Sequence, residues 1–279
     1  MTTRLLVCLT VLSTISGWRS KNINGEYWKS FDIFKTCKHG RKQSPVNIIK
    51  NDASIMQCAP MNFSYYDHPN DFDILNNGHT VILTLKNGTS RIPHITGEQL
   101  PKSVFQFSQL HFHWGKNNTI GSEHQINGSQ YPLEGHFVHF NTNYGSTLDE
   151  ALKVKGVKDN LFVIAVLFHL SSQKSNSGLQ PIIKSLKSIK KCQRKSTISK
   201  LNLRKLLPRK LTEFYSYEGS LTIPPCQEIV LWTVFKKRCP VSAGQMRTFR
   251  KVFNDGDTHM NIFRLPQPLN GRTVLYNRS

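Results

Sequence analysis

His111-Phe112-His113 and Glu134-Gly135-His136 have the residue types and spacing to do metal chemistry. Successive side chains of a β-strand point to opposite faces, so His111 and His113 project together while Phe112 points away. Alone, an H-x-H pair also fits two hydrogen-bonded histidines with no ligand. His136 shares a face with Glu134 on a second alternating run. If the two runs are neighbours, three imidazoles converge at one point. Three neutral nitrogen donors suit zinc and leave a fourth tetrahedral position for water, as in catalytic rather than structural zinc sites. Gln109, two residues before His111 and on its face, carries an acceptor that can hold a ligand ring from behind. Glu134 can do the same for a neighbouring ligand, fixing tautomer and orientation.

The segments carrying these residues read as strands. Val104 to Trp114 alternates, and Gly135 to Phe140 alternates again. Thr80 to Leu85 is β-branched and ends at the turn signal Lys86-Asn87-Gly88. Leu161 to Leu170 is almost continuously apolar, the pattern of a central strand covered on both faces. Ile229 to Phe235 reads as a further strand. Helical spacing of Ile182, Ile183, Leu186 and Ile189 predicts a helix over Gln180–Lys191, and a second, short one is expected over Ser242–Phe253. The pattern is that of a β-rich α+β domain with a few short surface helices.

Residues 1–17 read as an export signal: Arg4, an apolar run Leu5–Ile15 too short to span a bilayer, then small residues Ser16 and Gly17. Removing them leaves 279 − 17 = 262 residues, with no repeat, linker or low-complexity tract to divide them, so residues 18–279 read as one domain. A second long apolar run is missing, so no membrane span is expected. Sequons at Asn62, Asn87, Asn117, Asn127 and Asn277 agree with export, the first four being the glycosylation candidates. Beyond the signal lie Cys37, Cys58, Cys192, Cys226 and Cys239. Some should pair in an oxidising compartment, and the odd number leaves one over. The formal net charge is +20, or +20 − 1 = +19 without Arg4, and no Asp or Glu occurs from Asn160 to Thr212.

In order along the chain, Gln43-Ser-Pro-Val-Asn-Ile48, Asn76-Asn-Gly-His79, Gln109-Leu-His-Phe-His-Trp-Gly115, Gly121-Ser-Glu-His124, Glu134-Gly-His-Phe-Val-His139, Tyr217-Glu-Gly-Ser-Leu-Thr-Ile-Pro-Pro225 and Arg264-Leu-Pro-Gln-Pro268 form a set. With them the chain resembles the alpha-family carbonic anhydrases, of the secreted, extracellular type, over nearly its whole mature length. The resemblance implies a single domain on a large twisted, mostly antiparallel central sheet. It also implies a secreted zinc lyase that interconverts carbon dioxide and bicarbonate through attack by zinc-bound hydroxide. His111, His113 and His136 then match the Zn2+ ligands, and Gln109 and Glu134 the groups behind them. Thr222 matches the gatekeeper that accepts a hydrogen bond from the hydroxide, and Glu123 the carboxylate that accepts one from Thr222. Val138, Val163, Leu221, Val230 and Trp232 match the apolar substrate wall. His79 matches the proton shuttle, a task suited to an imidazole with an unperturbed pKa of about 6.5. His124 and His139 match structural hydrogen-bonding positions. The extracellular relatives imply a Cys37–Cys226 disulfide that braces the loop carrying Thr222.

Two departures lie near the expected cavity: Ile223 stands where the family commonly has threonine or histidine, and Ile82 where it often has asparagine. Both remove groups that organise water, so slower proton transfer is expected. The basic stretch Lys174–Lys210 reads either as a solvated face or as attachment to a polyanion: a sulfated polysaccharide, an acidic matrix or an anionic membrane surface. It contains no Phe, Trp or Tyr for base stacking, so no nucleic acid is expected. The competing function is therefore a secreted carbonic-anhydrase-like binding protein that uses this face with little catalysis.

Overall fold

The computed structural model describes residues 35–252 and 261–278. The expected export signal, residues 1–17, lies outside them. The chain begins with β1 (Asn47–Ile48), β2 (Ser54–Met56), β3 (Asn62–Ser64), β4 (Asn70–Asn76) and β5 (Val81–Leu85). Then come β6 (His94–Thr96), β7 (Phe105–Trp114), β8 (Gln125–Ile126), β9 (Leu133–Asn141) and β10 (Leu161–Ser171). Last are β11 (Lys195–Leu201), β12 (Phe214–Gly219), β13 (Val230–Phe235), β14 (Cys239–Ser242) and β15 (Leu275–Asn277). The α-helices are short: α1 (Lys35–His39), α2 (Leu148–Lys153), α3 (Gln180–Leu186) and α4 (Ala243–Phe249).

One large sheet runs in the order β11-β4-β5-β7-β9-β10-β13-β12-β15-β2. Its pairings are mostly antiparallel, as expected, with parallel joins at β10–β13, β10–β14 and β15–β2. The two histidine-bearing strands, β7 and β9, are direct antiparallel neighbours at its centre.

The apolar run of β10 has a simple explanation in packing. Ile164, Val166 and Phe168 belong to the core cluster under α3 and α4, with Ile182, Ile183, Leu186, Met246 and Phe249. Leu161, Val163, Ala165 and Leu167, pointing the other way, belong to the cluster that holds Val138, Tyr215 and Trp232. A strand with both faces buried cannot alternate with polar residues, and each large side chain removed from water contributes about 1.5–3 kcal/mol.

The helix expected over Gln180–Lys191 stops at Leu186. Beyond it the chain closes three-residue turns, with Ser188 N bonded to Ser185 O and Ile189 N to Leu186 O. Asn76, fully buried, donates its side-chain amide to the carbonyls of Ile189 and Lys190 at 3.0 and 3.2 Å. A distant side chain thus satisfies two carbonyls, which would be unpaired even at the end of a helix reaching Lys191. Ile189 is nonetheless buried, as its spacing predicted. The second helix, α4, starts where Ser242 predicts. The Ser242 hydroxyl accepts from Gln245 N while the Gln245 side chain accepts from Ser242 N, which closes a capping box.

Candidate metal centre

Strand register brings the three expected histidines together. His111 stands directly opposite His136 across β7 and β9, and His113 stands opposite Glu134. His136 Nδ1 lies 3.1 Å from His113 Nε2 and 3.3 Å from His111 Nε2. One ring nitrogen from each histidine falls within 4.8 Å of the others.

The far sides of two rings settle what these facing nitrogens are. His113 donates its Nδ1–H to the Ile262 carbonyl at 2.9 Å, so its Nε2 presents a lone pair. His136 donates its Nε2–H to Glu134 Oε1 at 2.6 Å, so its Nδ1 presents a lone pair. Lone pairs 3.1 Å apart repel, and a cation placed between them relieves the repulsion. Burial lowers the pKa of all three rings, His113 to about 4 and His111 well below the ordinary imidazole value. They are therefore neutral donors at physiological pH. Three neutral imidazole nitrogens within 4.8 Å of one another are a donor set that fits zinc.

Glu134 does more than its spacing announced. Its Oε1 accepts from both His136 Nε2 and His124 Nδ1 at 2.6 Å, and its Oε2 accepts the backbone N–H groups of Glu123 and His124 at 2.7 and 2.8 Å. Burial pushes its pKa up, but His124 and His136 overcome that and hold the carboxylate well below the usual range. With both His124 and His136 donating into it, the buried group His124–Glu134–His136 is a hydrogen-bonded relay rather than a second cation site. Gln109 behaves differently: its Oε1 is buried without a hydrogen-bond partner, so the bond expected to a ligand ring is not formed in this structure.

Glu123 is buried beside the cluster, its Oε1 accepting from Arg264 N at 2.8 Å. Its Oε2 points without a hydrogen-bond partner, 4.0 Å from His136 Nδ1. Burial, with the neighbouring Glu134 charge, outweighs the lowering pull of His136, the Arg264 amide and the Thr222 hydroxyl and leaves this carboxyl raised to about 7. Thr222 is buried in the loop between β12 and β13. A disulfide joins Cys37 to Cys226 across 189 residues, with Cα atoms 5.0 Å apart, and pins that loop. Gln43 braces it too, donating to the Cys226 carbonyl at 3.0 Å.

The expected substrate wall falls in register. Val138, Val163 and Trp232 are directly opposite one another across β9, β10 and β13, one row along the sheet from His136 and on its face. Val230 points to the same face two residues before Trp232, and Leu221 packs against the same cluster. The Trp232 ring meets His136 edge-on at 4.8 Å. Ile82 stands directly opposite His111 on β5, again on this face. His79 lies in the turn between β4 and β5, where its N–H bonds to Asn77 Oδ1 at 2.9 Å.

His124, expected as a structural hydrogen-bonding residue, bonds to Glu134 and to the Tyr217 hydroxyl. Two contributors were not read from the sequence. The Ile262 carbonyl left no signal, because any residue supplies a carbonyl. Arg264 stood inside a recognised motif, but its role depends on long-range contacts. The guanidinium of Arg264, fully buried, donates to Gln43 Oε1, Ser44 O and Cys37 O. It thereby ties the disulfide region to the segment that holds Glu123.

A family model described as eukaryotic-type carbonic anhydrase matches residues 24–278. Carbonic anhydrase 6 of Mus musculus is 35% identical over 244 residues, covering 85% of this chain and 74% of that protein. Putative carbonic anhydrase 5 of Caenorhabditis elegans is 31% identical, with 99% of this chain and 88% of that protein aligned. Carbonic anhydrase 4 of Mus musculus is 32% identical, with 97% and 90% aligned.

Proposed function

The chain belongs to the eukaryotic-type carbonic anhydrases, and from that premise we propose that it catalyses reversible hydration of carbon dioxide at a zinc ion held by His111, His113 and His136. The observation that carries the reading is the 3.1 Å approach of two lone-pair nitrogens, His113 Nε2 and His136 Nδ1, whose other nitrogens are bonded elsewhere. A zinc ion held there would lower the pKa of a water it binds to about 7, a general property of carbonic anhydrases, and so would make hydroxide available at neutral pH.

The residues around it divide the remaining work. Glu134 fixes the His136 tautomer and so the direction of its Nδ1 lone pair. Thr222 accepts a hydrogen bond at its hydroxyl oxygen from a proton-bearing nucleophile and donates its own O–H as a hydrogen bond to Glu123, so only a nucleophile with a hydrogen bond to give is held. Val138, Val163, Leu221, Val230 and Trp232 offer uncharged carbon dioxide a dry wall where charged competitors lose hydration. His79 takes the released proton at an imidazole nitrogen and returns it to buffer. Ile82, beside His111, and Ile223, after Thr222, leave fewer polar groups to organise water for that transfer.

We further read residues 1–17 as an export signal and 18–279 as the mature extracellular domain. The Cys37–Cys226 disulfide agrees with an oxidising compartment. Asn62, Asn87, Asn117 and Asn127 are exposed and open to glycosylation, whereas Asn277 is buried and bonded to Cys58 N and Thr212 O. The deciding experiment is carbon dioxide hydration by purified protein before and after zinc is stripped and restored. Activity that leaves and returns with zinc supports the reading; a zinc-loaded, idle protein overturns it.

A further inference from the structure

The acid-free stretch that the catalytic reading leaves unused is organised by the fold. β11 is the edge strand of the sheet, and its approach from α3 carries Lys187, Lys190, Lys191 and Arg194, with Lys195 and Lys200 on the strand itself. All six are exposed, and none forms an ion pair among the described residues. The neighbouring strand β4 carries Asp71 and Asp73; Asp73 faces Thr197, and Asp71 Oδ1 accepts from the Lys200 backbone N–H at 2.9 Å.

A merely solvated lysine loop needs no fixed course, but this one is clamped. Asn76 N bonds to Arg194 O at 3.0 Å, Gln193 N bonds to Asn76 O at 2.8 Å, and the Asn76 side chain holds Ile189 and Lys190. The cationic backbone is thus ordered before any partner arrives, which lowers the entropy lost on binding. The six cations run from the turns after α3 onto β11, whose pairing with β4 shifts register between Ile198 and Leu201, where Lys200 has φ 54°.

We propose that the segment Lys187–Lys200 docks a linear sulfated polysaccharide along the β11 edge. Exposed cations without ion pairs, held on an ordered segment that leads onto the sheet edge, match a polyanion that can follow that edge. Among the described residues no exposed large hydrophobic side chain falls between 171 and 264, so the face lacks the apolar anchors that seat a protein in lipid. The stretch also lacks aromatic rings for nucleobases.

The test titrates the purified protein with a size-defined heparin oligosaccharide at physiological salt. The variant Lys190→Gln, Lys191→Gln, Arg194→Gln, Lys195→Gln should bind about tenfold more weakly or worse, given the steep charge dependence of polyanion binding. A control of equal charge, Lys102→Gln, Lys153→Gln, Lys155→Gln, Lys158→Gln, should lose less than about threefold. The swap Lys190→Arg, Lys191→Arg, Arg194→Lys, Lys195→Arg should bind like the unaltered protein, which separates charge from misfolding. Equal losses in face and control variants would overturn the proposal in favour of unspecific attraction. Tighter binding to phosphatidylserine vesicles than to the oligosaccharide would overturn it in favour of a lipid surface.

Discussion

Glu134 and His136, two residues apart on one face of β9, are joined by a 2.6 Å bond from His136 Nε2–H to Glu134 Oε1. That bond is what turns His136 Nδ1 toward His111 and His113. Glu134→Gln keeps the shape but replaces the buried carboxylate with an amide that can present an N–H to the ring. Zinc affinity should fall about 10–100-fold, as for other groups behind metal ligands. Competition with a chelator measures it; unchanged affinity would remove Glu134 from the site.

In the proposed mechanism Thr222 and Glu123 act on geometry rather than on the metal. Thr222→Ala should lower kcat/KM by about a hundredfold, the scale of losing one positioned hydrogen-bonding group, while zinc content stays full. Glu123→Gln should move activity in the same direction. Loss of zinc in either variant would mean that the pair supports the metal site instead.

His79→Ala should slow turnover in weak buffer by about tenfold or more, the lower range for a lost proton-transfer group. Added imidazole should restore it, and strong buffer should mask it. Ile82→Asn, placing an amide opposite His111, should speed the same buffer-limited step. A His79 variant with unaltered rate in weak buffer would end the shuttle assignment.

His139 predicts how the fold responds to acid. It is buried, its Nδ1–H donates to Phe162 O at 3.1 Å, and its Nε2 accepts from the Tyr66 hydroxyl. Burial pushes its pKa down to about 3, so the folded protein holds it neutral while an unfolded chain protonates it below about 6.5. Stability from this residue is therefore complete above about pH 6.5 and is lost as pH falls toward about 3, by up to about 1.4 kcal/mol per pH unit. Denaturant unfolding across that window should show a steeper slope for the unaltered protein than for His139→Gln. Equal slopes would assign the acid sensitivity elsewhere.

Cys37→Ser with Cys226→Ser should destabilise the protein by about 2–5 kcal/mol, since the bond closes a very long loop. Activity should fall too, because the same bond pins the Thr222 loop. Cys239→Ser should leave activity unaltered: that thiol is buried in the core, where burial pushes its pKa up to about 12. A melting curve and a rate for each variant test both statements.

Which histidines can face one another, and which strands carry them, is legible in the order of residues. Period-two alternation puts His111 and His113 on one face, and the unbroken apolar run of β10 announces burial on both. These are local properties, readable because side-chain direction follows backbone geometry residue by residue. What lies behind the ligands depends instead on the path of the folded chain. The Ile262 carbonyl reaches His113 across 149 residues, and Arg264 bridges Glu123 to Cys37. The course of the chain after α3 is held in the same way, since Asn76 captures the carbonyls of Ile189 and Lys190 from 113 and 114 residues away. Backbone groups are the same at every position, so a contact made by one of them leaves no mark in the sequence; only the course of the folded chain selects it.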